Sequence, residues 1–198
     1  MPQLMMLWKN EEPTVPSKLA PGCRVIDATC PDYTPEQYAD AWNEICTELN
    51  GVPWTREHFF ERHWNAPEIP RDGIFFAVTP EGRLFSTATV QQYPDHANLH
   101  MVGTSMDCKG MGGGRAVCLA CVRYFQSHGI TRAELLTDDF RIPAIKIYLG
   151  LGFRPYLYEP HAEEMKARWE ALADVLGIPE LPAYDDNSCE VLLHAKAV

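Results

Sequence analysis

Residues Cys108 to Leu119 read CKGMGGGRAVCL, and four of the five residues from Gly110 to Gly114 are glycine. A helix-forming run follows with no intervening loop. A strand, a glycine-rich turn and a helix start make an anion site. The first helical turn leaves amides without intrahelical partners, and the helix dipole favours negative charge there. Glycine lets the backbone approach a phosphate without a Cβ in the way, and Lys109 and Arg115 flank the turn with positive charge. The plainer reading is a tight strand-to-helix connection, and the loop alone leaves both open. Two phosphate fingerprints fail: Gly114 is followed by Arg115-Ala116 rather than the Lys-Ser/Thr of a P-loop, and no third glycine completes a G-x-G-x-x-G from Gly110 or Gly112.

Other chemistry-bearing residues are scattered. His96, Asn98 and His100 share one face of a strand that begins that early, and histidine titrates in the range useful to a general base. The competing readings are a partly buried histidine bonded to backbone, or a metal pair at His96 and His100, which lacks a neighbouring acid or thiol ligand. Cys118 and Cys121 form a C-x-x-C inside a helix with no second pair, so they read as small apolar core residues. His58 and His63, five apart, suit neither helical nor strand ligation. Asp40 and Glu44 read as a solvated helix face. Tyr148 recurs with Ala144, Ile147 and Leu151 at helical spacing, and by pattern alone belongs to an apolar stripe.

The elements that must position these residues follow from periodicity and caps. Residues 1–21, rich in proline and charge, read as an arm or edge segment. Cys23 to Ala28 is a strand candidate. Thr34, Pro35 and Gln37 open a helix with a capping-box pattern, and Gly51 stops it. A second helix starts at Thr55. GIFFAVT and LFSTATVQQY form a hairpin around PEGR, and NLHMVGTSM is a third strand. The helix from about Gly112 to His128 buries Val117, Cys118, Cys121, Val122 and Phe125. A strand at Ala133–Thr137, a helix in RIPAIKIYLGLGF, a strand in FRPYLYEP, a helix carrying Met165, Trp169 and Leu172, and a strand in CEVLLHA complete the order. This is a mixed α/β single domain.

With 198 residues, 46% hydrophobic and 22% charged, the composition is that of one globular core. The net charge of -10 argues against a general nucleic-acid or anionic-membrane binder, which needs a basic surface. The opening residues lack the basic and apolar regions of a secretory signal. Seven scattered cysteines then read as reduced thiols, so the expected location is the cytoplasm.

KGMGGGRAV, from Lys109 to Val117, resembles the R/Q-x-x-G-x-G/A signature of the GCN5-related N-acetyltransferases (GNAT), with Gly112 and Gly114 as the signature glycines. Ala144, Tyr148 and the Gly152-Phe153 pair resemble that family's later A-x-x-x-Y-x-x-x-G-F block. The resemblance covers roughly residues 96–158. It departs at Lys109, where arginine or glutamine is usual, and at Arg141, where asparagine is common.

The resemblance implies a central, mostly antiparallel twisted sheet flanked by helices, with the catalytic domain over 22–160 and a C-terminal helix and tail over 161–198. It implies acetyl-CoA as co-substrate and no metal. The pyrophosphate would rest on the amides of Gly110, Met111, Gly112, Gly113, Gly114 and Arg115, beside Lys109. The pantetheine would lie along Val102, Gly103 and Thr104, with Arg141 and Ala144 at further coenzyme-contact positions. Tyr148 would be the general acid and His100 the candidate base, with the two N-terminal helices walling the acceptor. The implied partner is a small-molecule or peptide amine, and a homodimer is an open option. The alternative is a non-catalytic acetyl-CoA sensor or scaffold of the same fold.

Overall fold

Thr34 caps the first helix, α1 (Pro35–Asn50), as its sequence predicts: its hydroxyl accepts from the Gln37 amide, and the Gln37 side chain accepts from the Thr34 amide. Gly51 closes the helix in the left-handed region at φ 70°. The computed structural model describes residues 2–13, 16, 18–51 and 53–195. They fall into two compact units, one of residues 15–130 and the other of residues 1–14 with 131–198.

The first unit holds β2 (Arg24–Asp27), α1, the short α2 (Arg56–Phe59), β3 (Ile74–Val78), β4 (Leu84–Gln92), β5 (Ala97–Thr104) and α3 (Gly113–Ser127). Its strands run in the order β2-β3-β4-β5, each pair antiparallel. After α2 the backbone widens into a π-helical turn, Phe60–Trp64. Helix α1 lies against one face of β5: a Cβ on Gly103 would come within 2.5 Å of the Ile45 side chain. The start of α3 lies against the other face, where the Ser86 and Thr104 hydroxyls bond at 2.7 Å and a Cβ on Gly113 would strike Ser86 and Phe85. All five apolar residues expected on the inner side of α3 are fully buried. Burial pushes the Cys118 thiol up to about 12 and raises Cys121 too, so both are inert core residues.

The second unit holds β1 (Leu4–Trp8), β6 (Ala133–Thr137), α4 (Ile142–Gly150), β7 (Arg154–Tyr156), α5 (Ala162–Leu176), β8 (Glu180–Tyr184) and β9 (Glu190–His194). Its strand order is β6-β1-β7-β8-β9, antiparallel except for the β7–β8 pair. Here the arm-or-edge reading of the first residues is corrected. Leu4–Trp8 is a central strand paired on both sides, with Leu4, Met6, Leu7 and Trp8 fully buried. A strand covered on both faces reads as a continuous apolar run, and LMMLW is one. The fold class is therefore mixed α+β, with mostly antiparallel strands flanked by helices.

Candidate functional site

The glycine loop is built from both ends. A 3₁₀ turn, Met106–Cys108, leads into it, and Arg83 holds that turn: its guanidinium bonds Asp107 at 2.5 and 3.3 Å and Glu44 of α1 at 2.9 Å. Arg83 keeps the Asp107 carboxyl below its ordinary range, chiefly through these hydrogen bonds. On another side of the loop, the Ala20 amide donates to the Met111 carbonyl at 2.9 Å, and the Lys18 carbonyl rests against Gly112. Gly112 has φ 82° and no room for a Cβ, so only glycine fits. The glycines thus serve two ends, since Gly112 and Gly113 are required by their own neighbours as well as being available to a ligand.

What the loop offers a ligand is a set of open donors. Gly112 is the N-cap of α3 and brings no side-chain cap, and the first turn carries no acidic residue. The first intrahelical bond runs from the Ala116 amide to the Gly112 carbonyl at 3.0 Å. No hydrogen-bond partner among the described residues reaches the amides of Gly112, Gly113, Gly114 or Arg115. The Arg115 Nη1 is buried and likewise has no partner among them. Lys109 and Gly110 stand exposed beside it. Four amides at the positive end of a fifteen-residue helix form a cradle that suits an oxyanion, and Arg115 stands in the same first turn.

Strand β5 carries the next group. Thr87 pairs with Gly103, but Thr89 pairs with His100, so one extra residue sits on β5; Met101 absorbs it at φ 46°. Such a bulge re-aims the side chains beyond it. Gly103 and His100 are an odd three residues apart, yet Gly103 faces Ile45 of α1 and His100 faces His63 of the π-helical turn. Thr89, opposite His100, accepts or donates a 2.8 Å hydrogen bond with Nε2 of His63, and the His63 and His100 rings lie 6.0 Å apart. Burial lowers the pKa of His100. Burial first, then His100 and His58, push His63 down to about 3, so it is neutral. The His63 ring sits 4.8 Å from Trp42, in an aromatic wall with Trp54, His58 and Phe59. Sequence spacing sets aside His63 as a ligand beside His58 and does not show its bond to Thr89, 26 residues away; a histidine within a run of aromatics is the one signal there.

Arg141, Ala144 and Tyr148 lie on α4, in the other unit. Arg141 is its N-cap residue and pairs with Asp138 at 2.9 Å. Tyr148 is buried, its ring 6.3 Å from Phe153. Asp40 and Glu44 are engaged by Arg56 and Arg83. His96 bonds Asp95 at 2.8 Å, away from the His63–His100 pair in the register of β5.

The profile of the Acetyltransferase (GNAT) family matches residues 37–153, more than half of the chain. The chain belongs to the GNAT acetyltransferase family. A mycothiol acetyltransferase from Pseudarthrobacter chlorophenolicus is 26% identical to this GNAT chain over 161 residues, covering 74% of it and 49% of the relative. One from Arthrobacter sp. is 32% identical over 87 residues, covering 41% and 27%. The chain thus spans half or less of the length of these curated relatives. Among solved structures, a GCN5-related N-acetyltransferase from Sphaerobacter thermophilus aligns with TM-score 0.60 at 19% identity, over 78% of this chain and 49% of its own. The ribosomal-protein-S18-alanine N-acetyltransferase from Escherichia coli aligns with TM-score 0.52 at 19% identity, over 66% and 76%. At these identities the structural likeness speaks to the fold. Among the described residues, no helix is long and apolar enough to cross a membrane.

Proposed function

We propose that this GNAT chain is an N-acetyltransferase that moves an acetyl group from acetyl-CoA to a primary amine. The observation that carries the reading is the open cradle at the start of α3: four amides, and the Nη1 of Arg115, without a hydrogen-bond partner among the described residues. The residues fit the coenzyme's phosphates in charge, in donor type and in the lack of a competing side-chain cap. When bound, acetyl-CoA supplies an activated thioester. The residues Val102 to Thr104 would hold the pantetheine, and a backbone donor there would polarise the thioester carbonyl.

The amine nitrogen attacks the carbonyl carbon, the carbon–sulfur bond breaks, and the amine's proton is taken up by a base. His100 suits that role, since burial keeps its imidazole unprotonated to lower pH than usual. Tyr148 is proposed to return a proton to the departing thiolate, by its place in the family's second block. Arg141 pairs with Asp138 through Nε alone, which leaves its two Nη groups to contact coenzyme. The curated relatives are named for mycothiol and one structural neighbour for an alanine of a ribosomal protein, so the acceptor is better read from this chain's own residues. The cytoplasm remains the proposed location.

Calorimetric titration with acetyl-CoA, followed by mass spectrometry of amines incubated with protein and coenzyme, tests the proposal. Saturable binding and an acetylated amine are expected. Coenzyme binding without any acetylated product would favour the sensor reading.

A further inference from the structure

Arg71 opens a 3₁₀ turn, Arg71–Gly73, that runs directly into β3. Its guanidinium carbon lies 3.6 Å from the centroid of the Trp64 ring, and its Nη1 is buried with no hydrogen-bond partner among the described residues. No carboxylate among them pairs with it either, in a chain with 27 acidic residues. Asp72, its neighbour in sequence, instead faces His128 at 3.9 Å. Burial holds this guanidinium below its ordinary pKa, as expected of a cation that gives up water without gaining an anion.

The surroundings say where an anion would come from. Trp64 follows His63, whose imidazole bonds Thr89. Ile74, immediately after the Arg71 turn, pairs with that same Thr89 from one side, while His100 pairs with it from the other. Arg71 and the candidate base therefore belong to one neighbourhood, linked through Thr89 and the His63–Trp64 turn. Trp64 and Arg71 are only half-buried, so a ligand can reach them from solvent. Stacking on Trp64 holds the guanidinium in place, and a planar guanidinium can give a carboxylate or phosphate two parallel hydrogen bonds.

We propose that Arg71 determines acceptor specificity by binding an oxyanion, a carboxylate or a phosphate, carried by the amine substrate. This rests on the acetyltransferase reading for the identity of the ligand as an acceptor, and it limits the acceptor class to amines bearing a negative group. The ordinary alternative is that Arg71 only covers Trp64.

The test pairs each of several amino carboxylates with its neutral carboxamide, adds an amino phosphate, and compares wild type with Arg71→Gln and Arg71→Lys. Wild type should prefer the carboxylate or the phosphate over the amide by about tenfold or more in kcat/KM, as a charge-assisted pair allows; which anion is preferred identifies the source. Arg71→Gln should remove the preference through KM, with kcat on the amide and the affinity for acetyl-CoA unchanged, and Arg71→Lys should keep part of it. Binding of the same probes is also followed by tryptophan fluorescence without turnover. If no amine is acetylated, anion binding that Arg71→Gln abolishes still supports the site while the acetyltransferase reading fails. Equal use and equal binding of carboxylate, phosphate and amide by wild type would overturn the inference. So would an Arg71→Gln protein that binds acetyl-CoA normally and keeps the wild-type preference.

Discussion

Replacing Arg115 by glutamine separates a coenzyme cradle from a merely tight turn. Among the described residues of the free protein the Arg115 Nη1 meets no acceptor, so its removal takes away no hydrogen bond seen there. The ligand-free stability should change by no more than about 1 kcal/mol, the share of the alkyl stem. A charge-assisted hydrogen bond to a phosphate is worth about 1.5–3 kcal/mol, which corresponds to an affinity loss of about 10- to 150-fold. Isothermal titration with acetyl-CoA measures the loss, and thermal unfolding without ligand measures the stability. Added salt should weaken the wild type more than the variant, because one charge pair has been removed. A dissociation constant within about twofold of wild type would refute the reasoning, most clearly if the ligand-free melting temperature fell. Aspartate at Gly112 is a poorer probe, because φ 82° and the Lys18 carbonyl exclude any side chain there.

Gly112→Ala should cost about 2–5 kcal/mol in chemical denaturation, combining left-handed strain with overpacking against Lys18; a loss under about 0.5 kcal/mol would show that the segment of residues 18–20 is not anchored there. His63 has a folded pKa of about 3 against 6.5 in the open chain, so between those values only the unfolded state binds the proton. Stability is therefore level above pH 6.5 and falls as the pH drops below it, by up to about 1.4 kcal/mol per unit, and His63→Gln should show a shallower acid slope in urea titrations. The acid limb of kcat/KM should lie below pH 6.5 and disappear in His100→Gln, since burial lowers the pKa of a group that must act unprotonated. Tyr148→Phe should lower kcat by about 10²–10⁴ with coenzyme affinity kept, and unchanged turnover would remove the tyrosine from the proton path.

Local chemistry made much of this chain legible. The Thr34–Gln37 box, the Gly51 stop and the five buried residues of α3 each depend on neighbours within a few positions, and sequence spacing resolves those. Strand β8 was missed because Pro182 breaks its pattern; the proline is tolerated because β8 meets β7 only at Tyr184, so Pro182 has no ladder partner on that side. The Met101 bulge depends on the register with β4, so the face that His100 takes is set by a partner strand rather than by its own alternation. Two groups that now carry most weight, the Nη1 atoms of Arg71 and Arg115, are notable for having no hydrogen-bond partner among the described residues. A sequence prints which groups exist, whereas a missing partner is visible only after the fold has brought the candidates together.

The central claim is amine-dependent transfer from acetyl-CoA, and the most direct test is to follow free thiol release from acetyl-CoA on adding amines to the wild-type protein. The expected result is saturable release that requires the amine, yields an acetylated amine in equal amount, and is lost in the Tyr148→Phe protein. Coenzyme that binds to the cradle but releases no thiol with any amine, charged or neutral, would contradict it.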